Sequence, residues 1–542
     1  MSDGSLESSH LRFVDWFVDH LYQEGTRQVF GVPGGGTSLD LIDAAKCRGL
    51  EMVLTAREDA AVMMAGVAGV LLDSPGIAFT TKGPGIASAA NGLASASLDR
   101  MSVLVVSETF GPGERDYVSH QVFDQPGLVQ PFVRDVDSDV VTADAPSVMA
   151  WLAREKSRPN GPAVMFPTSR ALQTKVSDAV ARDEPAVLGD ASMDEALAML
   201  ARSRRPLAVV GLEAASVRVA PMLREFLERF RIPALTTYMA GGTVAHDHSS
   251  FAGIFTGGAV EQDCVNEADL IVLLGLDPVE LIRKPWTYEA PVLDICEHVH
   301  TPHYVQPATR ISGPLERTVD ALLAQAPATS ASSWTEDDIR THRERFVSNM
   351  RLGRARGLES DDVVQTVAEA MGQVRRLTVD AGAHMFSACA FWPARHPRDV
   401  LISNGLASMG FAIPAGVAAA ICDRQRGAVA MTGDGGALMC LGELKTAATL
   451  GVKLCVVVFN DACLSLIDIK REERQLPDMG LSWPAPDFAA IAAGFGFRSW
   501  RVNNHQELAN ACAEAAQLEG PCLIDARIDA SGYQEQLRVL RG

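Results

Sequence analysis

The residues with the strongest claim to chemistry lie between positions 433 and 461. Gly433-Asp434-Gly435-Gly436-Ala437 follows an apolar stretch, Ala428-Val-Ala-Met-Thr432, and a second, Val-rich stretch from Leu454 delivers Asn460-Asp461. This pattern predicts strand, turn, helix, strand, with an acid at the first turn and an amide–acid pair at the second. Glycines let backbone N–H groups approach phosphate oxygens at a helix N-terminus. Asp434 and Asp461 are 27 positions apart but adjacent across a parallel sheet, and both are hard oxygen ligands. Together they can hold a Mg²⁺ that bridges a diphosphate. The same pattern also fits ordinary βα turns of a Rossmann-like sheet.

The elements that must position these residues form three α/β segments. In the first, residues 1–175, strand-like runs (Val29-Phe30, Ile77–Thr80, Val103–Val106, Ala163–Phe166) alternate with helical stretches. Residues 176–190 are polar and read as a linker. The second segment, 191–330, has strand-like runs at Pro206–Gly211, Pro233–Thr236, Leu270–Gly275 and Val292–Ile295. Residues 326–345, an Ala/Ser/Thr-rich tract and then a charged run, read as a second linker. The third segment, 355–542, holds the diphosphate pattern. The alternation predicts an α/β protein of three doubly wound parallel sheets with right-handed crossovers.

Size and composition agree. A chain of 542 residues exceeds a single core and predicts about three domains. The net charge of −19 argues against nucleic acid and anionic membrane surfaces. The apolar runs Ala61–Leu72 and Gly410–Cys422 are too short and too broken by Gly and Pro to span a bilayer. Ten scattered Cys fit buried, reduced thiols, and no signal peptide is read at the N-terminus, so the expected location is the cytoplasm.

Further constellations accompany the diphosphate pattern. Val29-Phe-Gly-Val-Pro-Gly34-Gly35-Gly36 ends a strand in a tight turn. Thr55-Ala-Arg57-Glu58-Asp59 opens an apolar helix, where two acids also suit a helix N-terminus. Thr81-Lys82-Gly83-Pro84-Gly85 lacks the Gly-Lys-Ser/Thr ending of a P-loop. Ser119-His120-Gln121-Val-Phe-Asp124 is followed by Pro131; Asp380-Ala-Gly382-Ala-His384-Met385 and Leu406-Ala-Ser408-Met409-Gly410 precede the Asp434 turn. In that order they resemble the VFGxPGG, R-H/N-E-x-x-A, SGPG, FQE, DxGxHQ, GLGTMG and GDG…NN motifs of thiamine diphosphate-dependent enzymes of the acetolactate synthase-like group. The resemblance covers nearly the whole chain and is weakest in the middle. The chain departs from the pattern at Asp461, Met385 and His120, which stand where the group has Asn, Gln and Phe.

The resemblance implies a pyrimidine-binding first domain, a variable central domain and a diphosphate-binding last domain. It implies thiamine diphosphate with Mg²⁺, the metal held by Asp434, Asp461 and the carbonyl oxygen of Cys463. Glu58 would face N1′ of the aminopyrimidine and drive it to its imino form, with Gln121 and His120 lining the substrate pocket. Gly34, Gly35, Gly83, Gly382, His384, Ser408, Gly433, Gly435, Gly436 and Ala437 would lie along the cofactor, with Met409 wedged between its rings. His120 also fits a surface role, and Met409 a core one. The implied reaction is decarboxylation of a 2-oxo acid with carboligation. The alternatives are a lyase or decarboxylase acting on a different substrate, and a non-catalytic cofactor-binding paralogue. The implied assembly is a homodimer or homotetramer with small 2-oxo acid or aldehyde substrates, the pyrimidine domain of one subunit facing the diphosphate domain of another. FAD or ADP in the central domain stays open. Cys296, His298, His300 and His303 have ligand types suited to Zn²⁺ but no partner cluster of known spacing, so a solvated loop is expected there.

Overall fold

A computed structural model describes residues 11–111, 113–133, 140–154, 161–176, 191–281, 285–301, 303–325, 331–353 and 357–542. The first linker, from 177 onward, and positions 326–330 of the second fall outside the described residues.

Eighteen strands among the described residues form three six-stranded sheets. The first sheet contains β1 (Gln28–Gly31), β2 (Glu51–Leu54), β3 (Gly76–Thr80), β4 (Val103–Ser107), β5 (Val140–Val141) and β6 (Pro162–Met165), in the order β2-β1-β3-β4-β6-β5. The second contains β7 (Pro206–Val210), β8 (Ala234–Thr236), β9 (Phe251–Ile254), β10 (Leu270–Leu274), β11 (Val292–Cys296) and β12 (Thr309–Ser312), in the order β12-β11-β10-β7-β8-β9. The third contains β13 (Arg376–Val379), β14 (Val400–Ile402), β15 (Ala428–Gly433), β16 (Leu454–Asn460), β17 (Arg498–Val502) and β18 (Cys522–Arg527), in the order β14-β13-β15-β16-β18-β17. Every ladder between these strands is parallel. A parallel sheet is covered on both faces, so its inner strands are apolar throughout rather than alternating. Accordingly β4, β10 and β16 are buried at every position. The α/β architecture expected from the sequence is the one observed.

The chain divides into two compact units. The first comprises residues 1–185 with the segments 417–424 and 440–452. It carries the first sheet over a core that includes Phe13, Phe17, Phe79 and Trp151. The helix Glu58–Leu72 is buried from Ala60 through Gly69. It lies close against the strand entry because Gly69 has no side chain: a Cβ there would stand 2.8 Å from the Ser74 carbonyl oxygen and 2.9 Å from the Gly76 nitrogen. The second unit, residues 186–416, 425–439 and 453–542, carries the other two sheets. One cluster of buried residues runs through both, including Val210 and Val272 of one sheet and Val379, Met431 and Val457 of the other.

The second linker reading is corrected here. Residues Glu336–Met350 form a helix whose N-terminus is closed by a capping box: Asp338 N–H donates to Thr335 Oγ1 (3.1 Å) and Thr335 N–H to Asp338 Oδ2 (3.0 Å). It buries Ile339, His342, Phe346 and Met350, a helical spacing, and lays Phe346 over Gly253 of β9. Just before it, the Trp334 indole N–H donates to the Pro206 carbonyl at the start of β7 (2.8 Å). These anchors make the segment part of the second unit's packing. Charged residues at most of the other positions hid the apolar stripe.

Candidate functional site

In the third sheet, β15 runs straight into the helix Asp434–Met439, and the register Gly433↔Phe459 sets its end beside the end of β16. β13 flanks β15 on the other side, with Val379 opposite Met431. Asp380, Asp434 and Asp461 therefore leave three adjacent strands at the same edge, around the point where the strand order reverses, where doubly wound sheets take their ligands.

Asp434 is buried. Its Oδ1 accepts the Gly435 N–H (2.8 Å), and its Oδ2 is buried without a hydrogen-bond partner among the described residues. Burial, and then the nearby charge of Asp461, push the Asp434 carboxyl up to about 6. Asp461 accepts from Cys463 N–H (3.2 Å) and Ser465 Oγ (2.5 Å), and burial raises it too. Ala462 turns the chain between Asp461 and Cys463 with φ +60°, and hydrogen bonds from Trp483 N–H to Ala462 O (3.0 Å) and from Leu464 N–H to Leu481 O (2.9 Å) pin this turn. Two adjacent, poorly solvated carboxylates, one with an unpartnered oxygen, are a donor set that fits a hard divalent cation.

Asp380 holds the turns together. Fully buried, it accepts from Gly410 N–H (3.1 Å), Ala412 N–H (2.6 Å) and Thr432 Oγ1 (2.5 Å), and a Cβ on Gly436 would collide with its carboxylate. It thereby ties the Ser408-Met409-Gly410 turn to the Gly433–Gly436 turn. Sequence reasoning gave Asp380 no role, although it heads the DxGxH pattern. Met409 arrives over Gly435, where a Cβ would stand 3.0 Å from its Cε and 2.9 Å from Leu464 Cδ2. Ser408 is buried and Ala437 lies at the helix core side. His384 packs against Phe459, ring centroids 5.1 Å apart; Gly433 is close to its Nδ1, and Gly382 lies against its Cε1. Burial lowers His384 to about 4, so the ring is neutral at pH 7, and its Nε2 has no hydrogen-bond partner among the described residues. Met385 and Cys463 are half-buried. The structure thus brings together Gly382, His384, Ser408, Met409, Gly433–Ala437, Asp461 and Cys463 in one unit.

The first unit gathers the other predicted residues at the ends of β1, β2, β3 and β4. Gly34 faces Thr81, whose hydroxyl a Cβ would strike, while Gly35 has open space around it. Glu58 opens the helix Glu58–Leu72, and a Cβ on Gly85 would stand 3.5 Å from its Oε1. Asp59 is occupied differently: its Oδ1 accepts from Ala60 N–H (2.9 Å) and Arg57 Nε (3.1 Å). This separates the two adjacent acids. Asp59 serves the helix start, and Glu58 faces the β3 turn. Gly83 has φ +68°, and a Cβ on it would stand 2.7 Å from the Cβ of Gln121. Gln121 is therefore against this turn, whereas His120 is exposed.

Three further residues escaped the sequence reading. Glu443 accepts from Ala56 N–H (3.0 Å), Arg57 N–H (3.1 Å) and Thr446 Oγ1 (2.8 Å), fixing the loop that delivers Glu58. Burial pushes its carboxyl up to about 7. Gln125 accepts the Gly83 N–H (2.7 Å) and donates to the Glu108 carbonyl (3.2 Å). Glu108 pairs with Lys82. Gln125 follows the Ser119–Asp124 motif closely enough to have been found; Glu443 and Glu108 have no motif of their own.

The solvated loop expected at Cys296–His303 is corrected. Cys296 is buried in β11, and His298 Nδ1 (3.3 Å) and His300 Nε2 (2.9 Å) both close on Glu213 Oε1. Burial alone would raise the Glu213 carboxyl, but hydrogen bonds from His298 and His300, the charge of His300 and the Glu297 N–H bring it down to about 2. Next to it, Glu280 accepts from Leu212 N–H (2.8 Å), Asp277 N–H (3.1 Å) and Thr237 Oγ1 (2.5 Å). The backbone donors at the ends of β7 and β10 are thus taken by the protein's own carboxylate.

Comparison with known proteins gives three matches in chain order. Residues 11–128 match "Thiamine pyrophosphate enzyme, N-terminal TPP binding domain", residues 193–322 the central domain of the same enzymes, and residues 380–526 their C-terminal TPP binding domain. Among curated proteins, the chain is 25% identical to acetolactate synthase of Bacillus subtilis over 96% of its own length and 94% of the relative's. It is 24% identical to the catabolic acetolactate synthase of Raoultella terrigena, over 95% of each chain. It is 24% identical to the acetolactate synthase isozyme 1 large subunit of Escherichia coli, over 98% of its own length and 96% of the relative's. The chain therefore belongs to the thiamine pyrophosphate enzyme family, as an acetolactate synthase-like enzyme of carbon–carbon bond formation.

Proposed function

We propose that this enzyme uses thiamine diphosphate with Mg²⁺ to decarboxylate a 2-oxo acid and join the remaining acyl unit to a second carbonyl compound. The observation that supports this most is the buried, unpartnered Oδ2 of Asp434 beside Asp461. Asp434, Asp461 and the Cys463 carbonyl would hold the metal, and His384, bonded to the Met431 backbone, packs beside the Gly433 turn. When bound, thiamine diphosphate supplies a carbon nucleophile and an electron sink for the departing CO₂. Glu58 holds a proton at N1′ of the aminopyrimidine, and Glu443 fixes the backbone that presents it. Met409 and Leu464 exclude water over Gly435. Gln121, against the Gly83 turn, orients the substrate carbonyl.

We further propose the domain assignment 1–175 for the pyrimidine, 191–330 central and 355–542 for the diphosphate, a cytoplasmic location and a homo-oligomer. In a dimer, Glu58 of one copy would serve the cofactor held by Asp434 of the other. In the central sheet the Leu212 and Asp277 N–H groups donate to Glu280, and a Cβ at Gly211 would meet Glu280 Oε2 at 2.7 Å, so these two donors are not offered to a nucleotide phosphate.

Incubation with pyruvate and a panel of 2-oxo acids and aldehydes, followed by mass spectrometry, tests the reaction. The expected products are hydroxy-keto compounds formed with loss of one CO₂. Release of a free aldehyde with no coupled product would assign simple decarboxylation instead.

A further inference from the structure

Lys82 and Glu108 follow neighbouring strands, β3 and β4, paired in register at Thr80↔Ser107. They lie at the strand ends that carry Glu58 and the Gly83 turn. Lys82 Nζ is 2.9 Å from Glu108 Oε1 and 4.8 Å over the Phe110 ring. The Lys82 side chain is 20% exposed and that of Glu108 9%. Glu108 Oε2 is buried with no hydrogen-bond partner among the described residues. The carboxylate occupies room left by Gly36, where any Cβ would collide with it.

An ion pair this poorly solvated is weak evidence for stability, because desolvating two charges offsets most of their attraction. A Lys ammonium has three donors, and Glu108 Oε1 uses one. The pair therefore holds a cation, fixed in direction and partly accessible, beside the turn against which Gln121 and Glu58 lie. We propose that Lys82 is the specificity residue that takes the carboxylate of the acceptor 2-oxo acid, with Glu108 aiming the ammonium. This rests on the carboligase reading above. The donor's carboxylate leaves as CO₂, and pairing it with an ammonium would stabilise the ground state and raise the barrier. The acceptor keeps its carboxylate throughout, so a cation on it binds without that penalty.

The test uses the holoenzyme loaded with thiamine diphosphate and Mg²⁺. Calorimetric titration compares oxamate, an unreactive carboxylate, with oxamide, its neutral counterpart. Lys82→Met should weaken oxamate at least 10-fold and oxamide less than 2-fold, since a charge-assisted hydrogen bond is worth roughly 10–100-fold in affinity. Lys82→Arg should restore part of the loss. In a competition between 2-oxobutyrate and propanal as acceptors, Lys82→Met should shift the product ratio at least 10-fold toward the aldehyde product. Oxamate binding unchanged in Lys82→Met, or no stronger than oxamide in the parent, would overturn the proposal. If Lys82→Met does not fold, Lys82→Gln is read in the same way. A parent that binds oxamate through Lys82 but couples no acceptor would sink the carboligase reading and leave the anion site standing.

Discussion

Asp434 decides how much of the site depends on one side chain. Its neighbours on the 433–437 turn are glycines and Ala437, and the charge of Asp461 acts on it. On the proposed assignment, Asp434→Ala removes one oxygen ligand of the metal and relieves a buried like-charge repulsion, so the apo protein should keep or gain stability while losing the cofactor. Calorimetry with thiamine diphosphate and Mg²⁺ should show no binding in this variant, with an undiminished melting temperature. Binding as tight as the parent's would mean that the metal is held elsewhere. The placement of Asp434 and Asp461 at neighbouring strand ends, and of Glu58 at a helix start, was legible in the sequence because each sits at a fixed offset from glycines and an apolar run. Glu443 and Glu108 were not, because their meaning lies in partners distant along the chain: Ala56 and Arg57 for one, Lys82 and Gly36 for the other. No local pattern marks a carboxylate whose partner is a backbone N–H several hundred residues away.

At the scale of elements, the strand ends of the central sheet close on internal carboxylates, and the Glu213 cluster makes this measurable. Its folded value of about 2 lies below the ordinary carboxyl range. A depressed carboxyl stabilises the fold fully above its unfolded value near 4.5, and the contribution disappears as pH falls from there toward 2. The shift corresponds to about 3 kcal/mol. Glu213→Gln should therefore lower the thermal midpoint at pH 6, with the gap to the parent narrowing as pH drops toward 3; parallel curves would refute the assignment. This cluster read as a solvated loop because the partners of His298 and His300, Glu213 and Asp277, lie on other segments of the chain. The helix Glu336–Met350 was missed for a related reason. Its four buried positions sit among charged residues, so its mean composition looks like a linker while its spacing is helical.

For the whole molecule, the three sheets were the most legible feature, since parallel strands such as β4, β10 and β16 are apolar at nearly every position and separate cleanly from helices. Assembly is the property a single chain expresses least. If Glu58 and Asp434 serve one cofactor from two copies, Glu58→Gln and Asp434→Ala should each be inactive alone. Randomly mixed dimers should recover about a quarter of parental activity, because half of them contain one intact site. No recovery would place both residues around the cofactor within one chain. The central claim, that Glu58 activates the cofactor, is tested most directly by NMR of proton exchange at thiamine C2 in D₂O. Glu58→Gln should retain the cofactor yet exchange roughly 10²–10⁴-fold more slowly than the parent, as expected for loss of a positioned proton-transfer group. Exchange at the parental rate would contradict the account and move the role to another carboxylate, Asp59 first.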